Sequence, residues 1–185
     1  MSERFSESVE HICDSVKRSL ALYPLERIDD TLELVKEAQR IFVYGAGRSG
    51  LVGRMFAMRL MQIDLRAFFI GETVTPAINK EDCVIFISKT GETQTAIQAA
   101  RIVKERVEGA KIIVLTASPK SRLASYGDVV MEIHTELTEK DSTLAPLGTI
   151  FENAALVFLD AFCSLLMEKL GETEDDMKTR HPILI

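Results

Sequence analysis

Five short apolar runs alternate with stretches of helical periodicity, and this alternation constrains the fold more than any other feature. The runs lie at residues 41–44, 66–70, 83–87, 110–115 and 128–133. Continuous apolar runs of this length are typical of strands buried in a parallel sheet. Parallel strands joined through helices need right-handed crossovers, which place helices on both faces. The sequence therefore predicts an α/β fold, a three-layer α-β-α sandwich around a five-stranded parallel sheet.

Further helices flank this alternating core. Apolar residues recur at spacings of three and four over residues 3–22, and a second such pattern covers residues 25–35 beyond the break at Pro24. These two N-terminal helices must bury their apolar stripes on this subunit or on a neighbour, and the sequence leaves both open. A long apolar helix is predicted over residues 148–170, with Gly171 as its end.

Size and composition predict one globular domain. The chain has 185 residues, of which 46% are hydrophobic and 27% are charged, and its net charge is −6. A negative charge gives no field that favours nucleic acid or an anionic membrane, and we expect no apolar run of the ~18 residues that span a bilayer. We expect a single domain over 1–185, with a helical extension at 1–39 and a tail at 172–185. The three distant cysteines predict reduced core thiols in a cytoplasmic protein.

The third apolar run passes into a helical pattern through residues 88–93, SKTGET. A strand that turns straight into a helix leaves N–H groups unpaired, and the helix dipole favours an anion there. Three hydroxyls converge on this turn, from Ser88, Thr90 and Thr93, while Gly91 allows close backbone approach. We predict that this loop binds the phosphate of a small phosphorylated substrate. The alternative is ordinary N-capping, for which one hydroxyl suffices.

A second loop, GAGRSG at residues 45–50, follows the first strand and precedes a helix. It matches the dinucleotide fingerprint G-x-G-x-x-G, and Glu72 lies near the end of the next strand, where a ribose-binding acid would stand. A nicotinamide enzyme is therefore an alternative. Against it, Arg48 and Ser49 suit a charged polar substrate, and a dinucleotide site needs no second anion-binding loop.

In parallel sheets, ligands bind beyond the carboxyl ends of the strands, near the point where the strand order reverses. The loops that follow the first three strands, 45–50, 71–75 and 88–93, therefore should face one pocket.

The glycine loop and the hydroxyl loop together resemble the sugar isomerase (SIS) domain, a phosphosugar-binding α/β sandwich. More narrowly, four stretches resemble the 6-phospho-3-hexuloisomerases: GAGRSGL at 45–51, GETVTPAI at 71–78, PLGTIFE at 146–152 and DMKTRH at 176–181. Lys89-Thr90 departs from the family, which more often has a small residue and a serine. The resemblance implies interconversion of D-arabino-hex-3-ulose 6-phosphate and fructose 6-phosphate in the ribulose monophosphate pathway. It also implies a homotetramer with no metal or redox cofactor.

Moving a carbonyl between C3 and C2 requires a base that takes a proton from the carbon beside the carbonyl, through an enediol intermediate. Glu152 is the candidate base, because it lies in the first turn of the long apolar helix and the resemblance supports it. The alternative is a capping box with Thr149, for which T-x-x-E is the signature. The resemblance makes His181 a second acid/base candidate, in a tail that could reach a neighbouring subunit; otherwise it is a surface histidine.

The remaining candidates concern substrate binding. Arg48 is expected to contact a substrate hydroxyl or the enediolate, where a fixed cation helps most; the alternative is a salt bridge beside the sheet. Glu72, Thr73 and Thr75 are expected at the sugar end, although Glu72 and Glu92 are otherwise solvated carboxylates. The residues assigned to the phosphate are Gly47, Ser49, Ser88, Thr90, Gly91 and Thr93.

Two histidines and two further function classes complete the predictions. His11 and His134 are interpreted as structural or exposed, and no spacing of histidine, cysteine or carboxylate predicts a metal site. A non-catalytic phosphosugar sensor remains an alternative to the isomerase. A dinucleotide-binding enzyme is the other.

Overall fold

The computed structural model describes residues 2–23, 26–136 and 138–182, so the predicted break at Pro24 and the helix start at Leu25 lie outside the described residues. The helices are α1 (Ser2–Ala21), α2 (Glu26–Glu37), α3 (Gly47–Gln62), α4 (Gln94–Arg106), α5 (Asp141–Leu144), α6 (Thr149–Leu170) and α7 (Glu174–Thr179), with a short 3₁₀ turn at Ala124–Tyr126. The strands are β1 (Ile41–Gly45), β2 (Ala67–Phe69), β3 (Cys83–Ile87), β4 (Lys111–Thr116) and β5 (Val129–Glu132).

The five strands form one parallel sheet in the order β2-β1-β3-β4-β5, which confirms the predicted fold class. Apart from β3, whose bounds match, each strand differs from its predicted bounds by one residue at one or both ends. The strand order reverses between β1 and β3, and Gly45 at the end of β1 pairs with Ile87 at the end of β3. The glycine loop and the hydroxyl loop therefore begin side by side at the switch point.

Each face of the sheet packs into its own apolar cluster, because successive strand residues point to opposite faces. Val43, Ile85 and Ile113 contribute to a cluster with α1, α2, α3 and α6. Phe42 and Val84 contribute to a second cluster with α4 and the 3₁₀ turn. Helices on both faces are thus confirmed, with the larger helical layer on the α6 side.

The two N-terminal helices pack against α6 of the same chain, which settles where part of their apolar surface goes. Val16 of α1 and Leu32 of α2 are buried in the core. Phe5 and Val9, at the start of α1, remain exposed. Cys13 is also exposed, so the expectation that every cysteine is a core residue is wrong for this one, which lies on the outer side of α1.

Helix α6 is the central helix of the fold, and it corrects one expectation. By length and composition alone it could cross a membrane, so the prediction that no segment meets these criteria is wrong. In the structure Phe151, Ala155 and Leu159 are buried against the sheet and its neighbours, as in a core helix. Gly171 ends α6 as predicted, and its φ of 72° is the left-handed conformation typical of glycine at a helix C-terminus.

Two short helices were not predicted from the sequence. Helix α5 lies between β5 and α6, and α7 lies within the tail. Helix α7 begins with a capping box between Thr173 and Asp176. Beyond it, Arg180 donates to the backbone oxygen of Gln62 at the end of α3 and pairs with Glu172, which fixes the tail on the body of the protein.

Candidate active site

The glycine loop combines one unusual backbone conformation with a very close helix approach. Gly47 has φ 57°, and among the described residues nothing lies within 4 Å of where its Cβ would stand. A Cβ on Gly50 would lie 2.5 Å from the Gly45 oxygen, so only glycine lets α3 start this near to β1. Ala46 is the N-cap of α3 and has no polar side chain to offer the first-turn N–H groups. These groups therefore suit an anionic ligand.

The hydroxyl loop turns its serine and threonine side chains toward one another. Ser88 is buried, its Oγ lies 3.2 Å from Thr93 Oγ1, and it accepts a hydrogen bond from the Gly91 N–H. Thr93 is the N-cap of α4, but its hydroxyl contacts Ser88 instead of the helix N–H groups. Thr90, which is exposed, accepts a hydrogen bond from the Glu92 N–H. The loop hydroxyls thus bond to one another and to the N–H groups of the loop, and the Thr93 hydroxyl does not cap α4.

Glu92 holds the hydroxyl loop against the loop after β4. Its carboxylate accepts hydrogen bonds from the backbone N–H of Arg122 at 3.0 Å and from Arg122 Nε at 2.6 Å. The hydrogen bond from the Arg122 backbone has the largest effect, and together with the one from its side chain it holds the pKa of Glu92 below its ordinary value. Glycine is required at position 91, next to this contact. Its φ is 62°, and a Cβ there would collide with Ser121 Oγ. Glu92 is thus ion-paired and not merely solvated. Sequence reasoning missed Arg122, whose only signal was its place in a loop at the same sheet edge.

Arg48 and Glu152 form an ion pair, although they are distant in sequence. Arg48 Nε lies 2.7 Å from Glu152 Oε2. The Glu152 side chain is only 12% exposed, whereas Arg48 is 61% exposed. The capping box with Thr149 is not what forms here: Gly148 is the N-cap, and the Thr149 hydroxyl donates to the Pro146 oxygen. The structure thus joins the arginine of the glycine loop to the candidate base, and both expected roles of Arg48 stay compatible with this contact.

Lys89 joins the hydroxyl loop to the start of α6. Its Nζ donates to the Leu147 oxygen at 3.1 Å. The direction of this side chain was not predictable from the sequence. Together with the ion pair of Arg48 and Glu152, this contact brings residues 45–50, 88–93 and 146–152 into one site, which we call the three-segment site.

The loop after β2 stands at the same edge of the sheet. Glu72 is half-exposed and pairs with Arg54 of α3, so it too is ion-paired and not simply solvated. Thr73 is exposed. The Thr75 hydroxyl donates to the backbone oxygens of Phe69 and Glu72, so it is used within the loop itself.

His181 lies elsewhere in this chain. It lines a hollow with Asp160 and Ser164 of α6, two to three helical turns from Glu152, about 12–18 Å along the axis at 1.5 Å per residue. Cys163 lines the same hollow, and burial raises the pKa of its thiol to about 12, so it is not a nucleophile near neutral pH. The structure therefore does not bring His181 together with Glu152 within one subunit.

The other histidines lie outside the three-segment site. His11 Nε2 lies 2.6 Å from Asp141 Oδ1, and both side chains are largely buried, which agrees with a structural role. His134 is exposed, as expected. Across residues 2–23, 26–136 and 138–182, no three histidine, cysteine, aspartate or glutamate side chains are grouped so as to hold a metal ion.

The comparisons with known proteins agree with this geometry. The SIS domain family matches residues 34–159. The 3-hexulose-6-phosphate isomerase of Methylomonas aminofaciens is 40% identical over 155 residues, which cover 83% of this chain and 84% of that protein. The enzyme of the same name from Bacillus subtilis is 33% identical over 180 residues, covering 95% and 96%. A Methanococcus jannaschii crystal structure, which infers a molecular function of 3-hexulose-6-phosphate isomerase, superposes with a TM-score of 0.87 at 29% identity and covers 97% of this chain and 99% of that one.

Proposed function

Because this chain belongs to the SIS domain family, we propose that it is a phosphosugar isomerase that interconverts D-arabino-hex-3-ulose 6-phosphate and fructose 6-phosphate. The observation that carries the proposal is the ion pair of Glu152 with Arg48, formed where the hydroxyl loop meets the start of α6. A carboxylate and a cation beside an anion-binding loop are the groups that this reaction requires. The names of the similar proteins specify the sugar.

The hydroxyl loop and the glycine loop are the proposed phosphate site. At the start of α4, hydrogen bonds to the phosphate come from Ser88, Thr93 and the helix N–H groups, none of which carries a positive charge. At the start of α3, they come from Gly47 and Ser49. Thr90 and Gly91 complete the hydroxyl loop. Binding through neutral donors fits a phosphate that stays attached to the sugar and leaves with the product.

Glu152 is the proposed base. In the direction that forms fructose 6-phosphate it removes the proton from C2 of the 3-ulose, and the C–H electrons form the 2,3-enediolate. The proton of the O2 hydroxyl passes to O3, the same carboxyl group returns the carbon-bound proton to C3, and the carbonyl is left at C2. Arg48 is the proposed group that stabilises the negative charge developing on the enediolate oxygen and orients Glu152, and its ion pair with Glu152 supports this assignment. Glu72 and Thr73 are the proposed contacts at the sugar end.

We further propose that the protein is a homotetramer in which His181 serves the site of a neighbouring subunit. The separation of His181 from Glu152 along α6 supports this proposal. The exposed residues Leu51, Met55 and Met58 also support it, because they form an apolar stripe on α3 that a subunit interface would cover. Mixing Glu152→Gln subunits with His181→Ala subunits tests it, because shared sites regain activity in the mixture and sites within one subunit do not.

The reaction is expected in the cytoplasm as a step of the ribulose monophosphate pathway, which the names of the relatives imply. Unpaired cysteines agree with a reducing compartment. No cofactor is required by the proposed chemistry, since the electron pair stays within the substrate and the proton is carried by Glu152.

Solvent exchange tests the proposed function. The protein is incubated with fructose 6-phosphate in heavy water, and proton NMR follows deuterium at C3 of fructose 6-phosphate and at C2 of the 3-ulose. Deuterium at both positions supports the enediol isomerase. Binding of fructose 6-phosphate without exchange or product would overturn the isomerase in favour of the phosphosugar sensor. Enhanced NAD(P)H fluorescence on mixing, without sugar binding, would favour the dinucleotide alternative instead.

A further inference from the structure

Lys89 occupies the hydroxyl loop with its backbone held firmly and its side chain directed away from the loop. Its backbone oxygen accepts hydrogen bonds from the Ala117 N–H at 3.0 Å and from the Thr116 hydroxyl at 3.1 Å, at the end of β4. Its Nζ crosses to the oxygen of Leu147 at 3.1 Å. The lysine is half-buried, and its hydrogen bond to Leu147 crosses between the two loops at the exposed surface.

The acceptor of this hydrogen bond stands in an unusual backbone conformation. Leu147 has φ 61°, in the left-handed region that residues other than glycine rarely adopt. Its side chain is 94% exposed, so packing of the leucine does not hold the conformation. Such conformations persist where surrounding contacts hold them in place. The Lys89 ammonium supplies one such contact on the carbonyl that this conformation presents.

The turn that Lys89 holds is in close contact with the candidate base. Gly148 follows Leu147 directly, and the position of a Cβ on Gly148 is only 2.6 Å from Glu152 Oε1. The Glu152 N–H also donates to the Gly148 oxygen. A displacement of this turn therefore displaces the carboxylate of Glu152.

We propose that Lys89 is a positioning residue, which couples the phosphate loop to the Glu152 carboxylate through the Leu147 carbonyl. This inference rests on the proposed function, because it concerns the distance between the phosphate of the bound sugar and the base. The ammonium acts through Leu147 and not by touching the substrate.

The test compares Lys89→Met, Lys89→Arg and the matched control Lys17→Met, which removes an exposed lysine on α1. Lys89→Met should lower kcat by about 10- to 100-fold, since a misplacement of about 1 Å in a catalytic group costs about that much, and KM should change by less than about threefold. Lys89→Arg, which can still donate to the carbonyl, should recover most of kcat. Lys17→Met should behave as the unmodified protein.

Amide hydrogen exchange supplies a readout that does not depend on turnover. Residues 147–152 should exchange faster in Lys89→Met than in the unmodified protein, with and without fructose 6-phosphate. A rise of KM by about tenfold or more with unchanged kcat would overturn the inference, because it would make Lys89 a direct phosphate ligand. Unchanged exchange at 147–152 would overturn it as well. If the unmodified protein lacks turnover, the proposed function fails, while the exchange comparison still decides the role of the contact.

Discussion

Replacing Gly148 by alanine tests the geometry around Glu152 with a single methyl group. Gly148 has φ −103°, which alanine adopts without strain, so backbone conformation is no obstacle to the substitution. The new Cβ would lie 2.6 Å from Glu152 Oε1 and 2.9 Å from its Cδ. The carboxylate must retreat by about 0.8 Å to reach an ordinary van der Waals contact. That movement also breaks or lengthens its 2.7 Å contact with Arg48.

The expected cost is to the rate and not to stability. A displacement of this size in a catalytic group lowers the rate by about 10- to 100-fold, equivalent to about 1.4–2.8 kcal/mol in the activation free energy. The free energy of unfolding should change by less than about 1 kcal/mol, because the entropic gain of Gly→Ala opposes the weaker N-cap. The atoms that must move belong to the flexible end of a side chain, which keeps the structural cost low.

The assay is steady-state isomerisation of fructose 6-phosphate, combined with urea denaturation of the same preparations. Gly148→Ala is measured alone and together with Glu152→Gln. If Gly148→Ala acts through the carboxylate, it costs far less in the Glu152→Gln background than alone. Full activity in Gly148→Ala, or an equal loss in both backgrounds, would refute the reasoning.

Two further substitutions probe the phosphate loop and the acid stability of the fold. Ser88→Ala removes a buried hydroxyl of the hydroxyl loop and with it a hydrogen bond to the charged phosphate. KM for fructose 6-phosphate should therefore rise about tenfold, equivalent to about 1.4 kcal/mol of binding free energy. An unchanged KM contradicts the assignment. Although burial opposes ionisation, hydrogen bonds from the Thr138 N–H and from His11 hold the pKa of Asp141 below its ordinary value of 3.8. Asp141→Asn should therefore lower the free energy of unfolding by about 1–3 kcal/mol at neutral pH. This loss of stability should shrink as the pH falls below 3.8. The reason is that the Asp141 carboxylate stabilises the fold fully above its unfolded-state pKa and loses that effect as the pH falls through its lower folded-state pKa. Urea denaturation between about pH 2 and 7 measures the loss, and a loss that is independent of pH contradicts the argument.

The sheet was predictable from the sequence because its strands are buried on both faces. Continuous apolar runs such as residues 83–87 have few other places in a globular chain, and the intervening helical periods fix parallel pairing. Helices α5 and α7 were missed because they are short and polar, and α7 is set by a local capping box that apolar periodicity does not reveal. Helix α6 is more apolar than expected, because apolar residues surround much of its circumference, and it therefore has the length and composition of a membrane-spanning helix.

The two sequences of the capping-box type show why side-chain contacts are harder to predict. Thr173 and Asp176 form the box: the Thr173 hydroxyl accepts a hydrogen bond from the Asp176 N–H, and the Asp176 carboxylate accepts one from the Thr173 N–H. Thr149 and Glu152 have the same spacing, but Glu152 contacts Arg48 of a loop that is distant in sequence. Local sequence gives the choice of partners, and only the folded sheet edge decides between them.

The same limit applies to the remaining site residues. The convergence of the glycine loop and the hydroxyl loop followed from the rule that ligands bind at the carboxyl ends of parallel strands, and the pairing of Gly45 with Ile87 places the two loops side by side. The contact of Lys89 with Leu147 depends on the path of the connector before α6, and that path has no periodic signal. The proposed role of Lys89 therefore depends on a contact that only the tertiary structure shows.

The central claim is that Glu152 is the base that moves the proton between C2 and C3. The most direct measurement is the rate of deuterium incorporation at C3 of fructose 6-phosphate in heavy water, for the unmodified protein and for Glu152→Gln. Glutamine keeps the size of the side chain and its ability to accept from Arg48, but it cannot take a proton. The account predicts a loss of about 10²- to 10⁴-fold in exchange, with the affinity for fructose 6-phosphate changed by less than about threefold. Exchange at the unmodified rate in Glu152→Gln would contradict it.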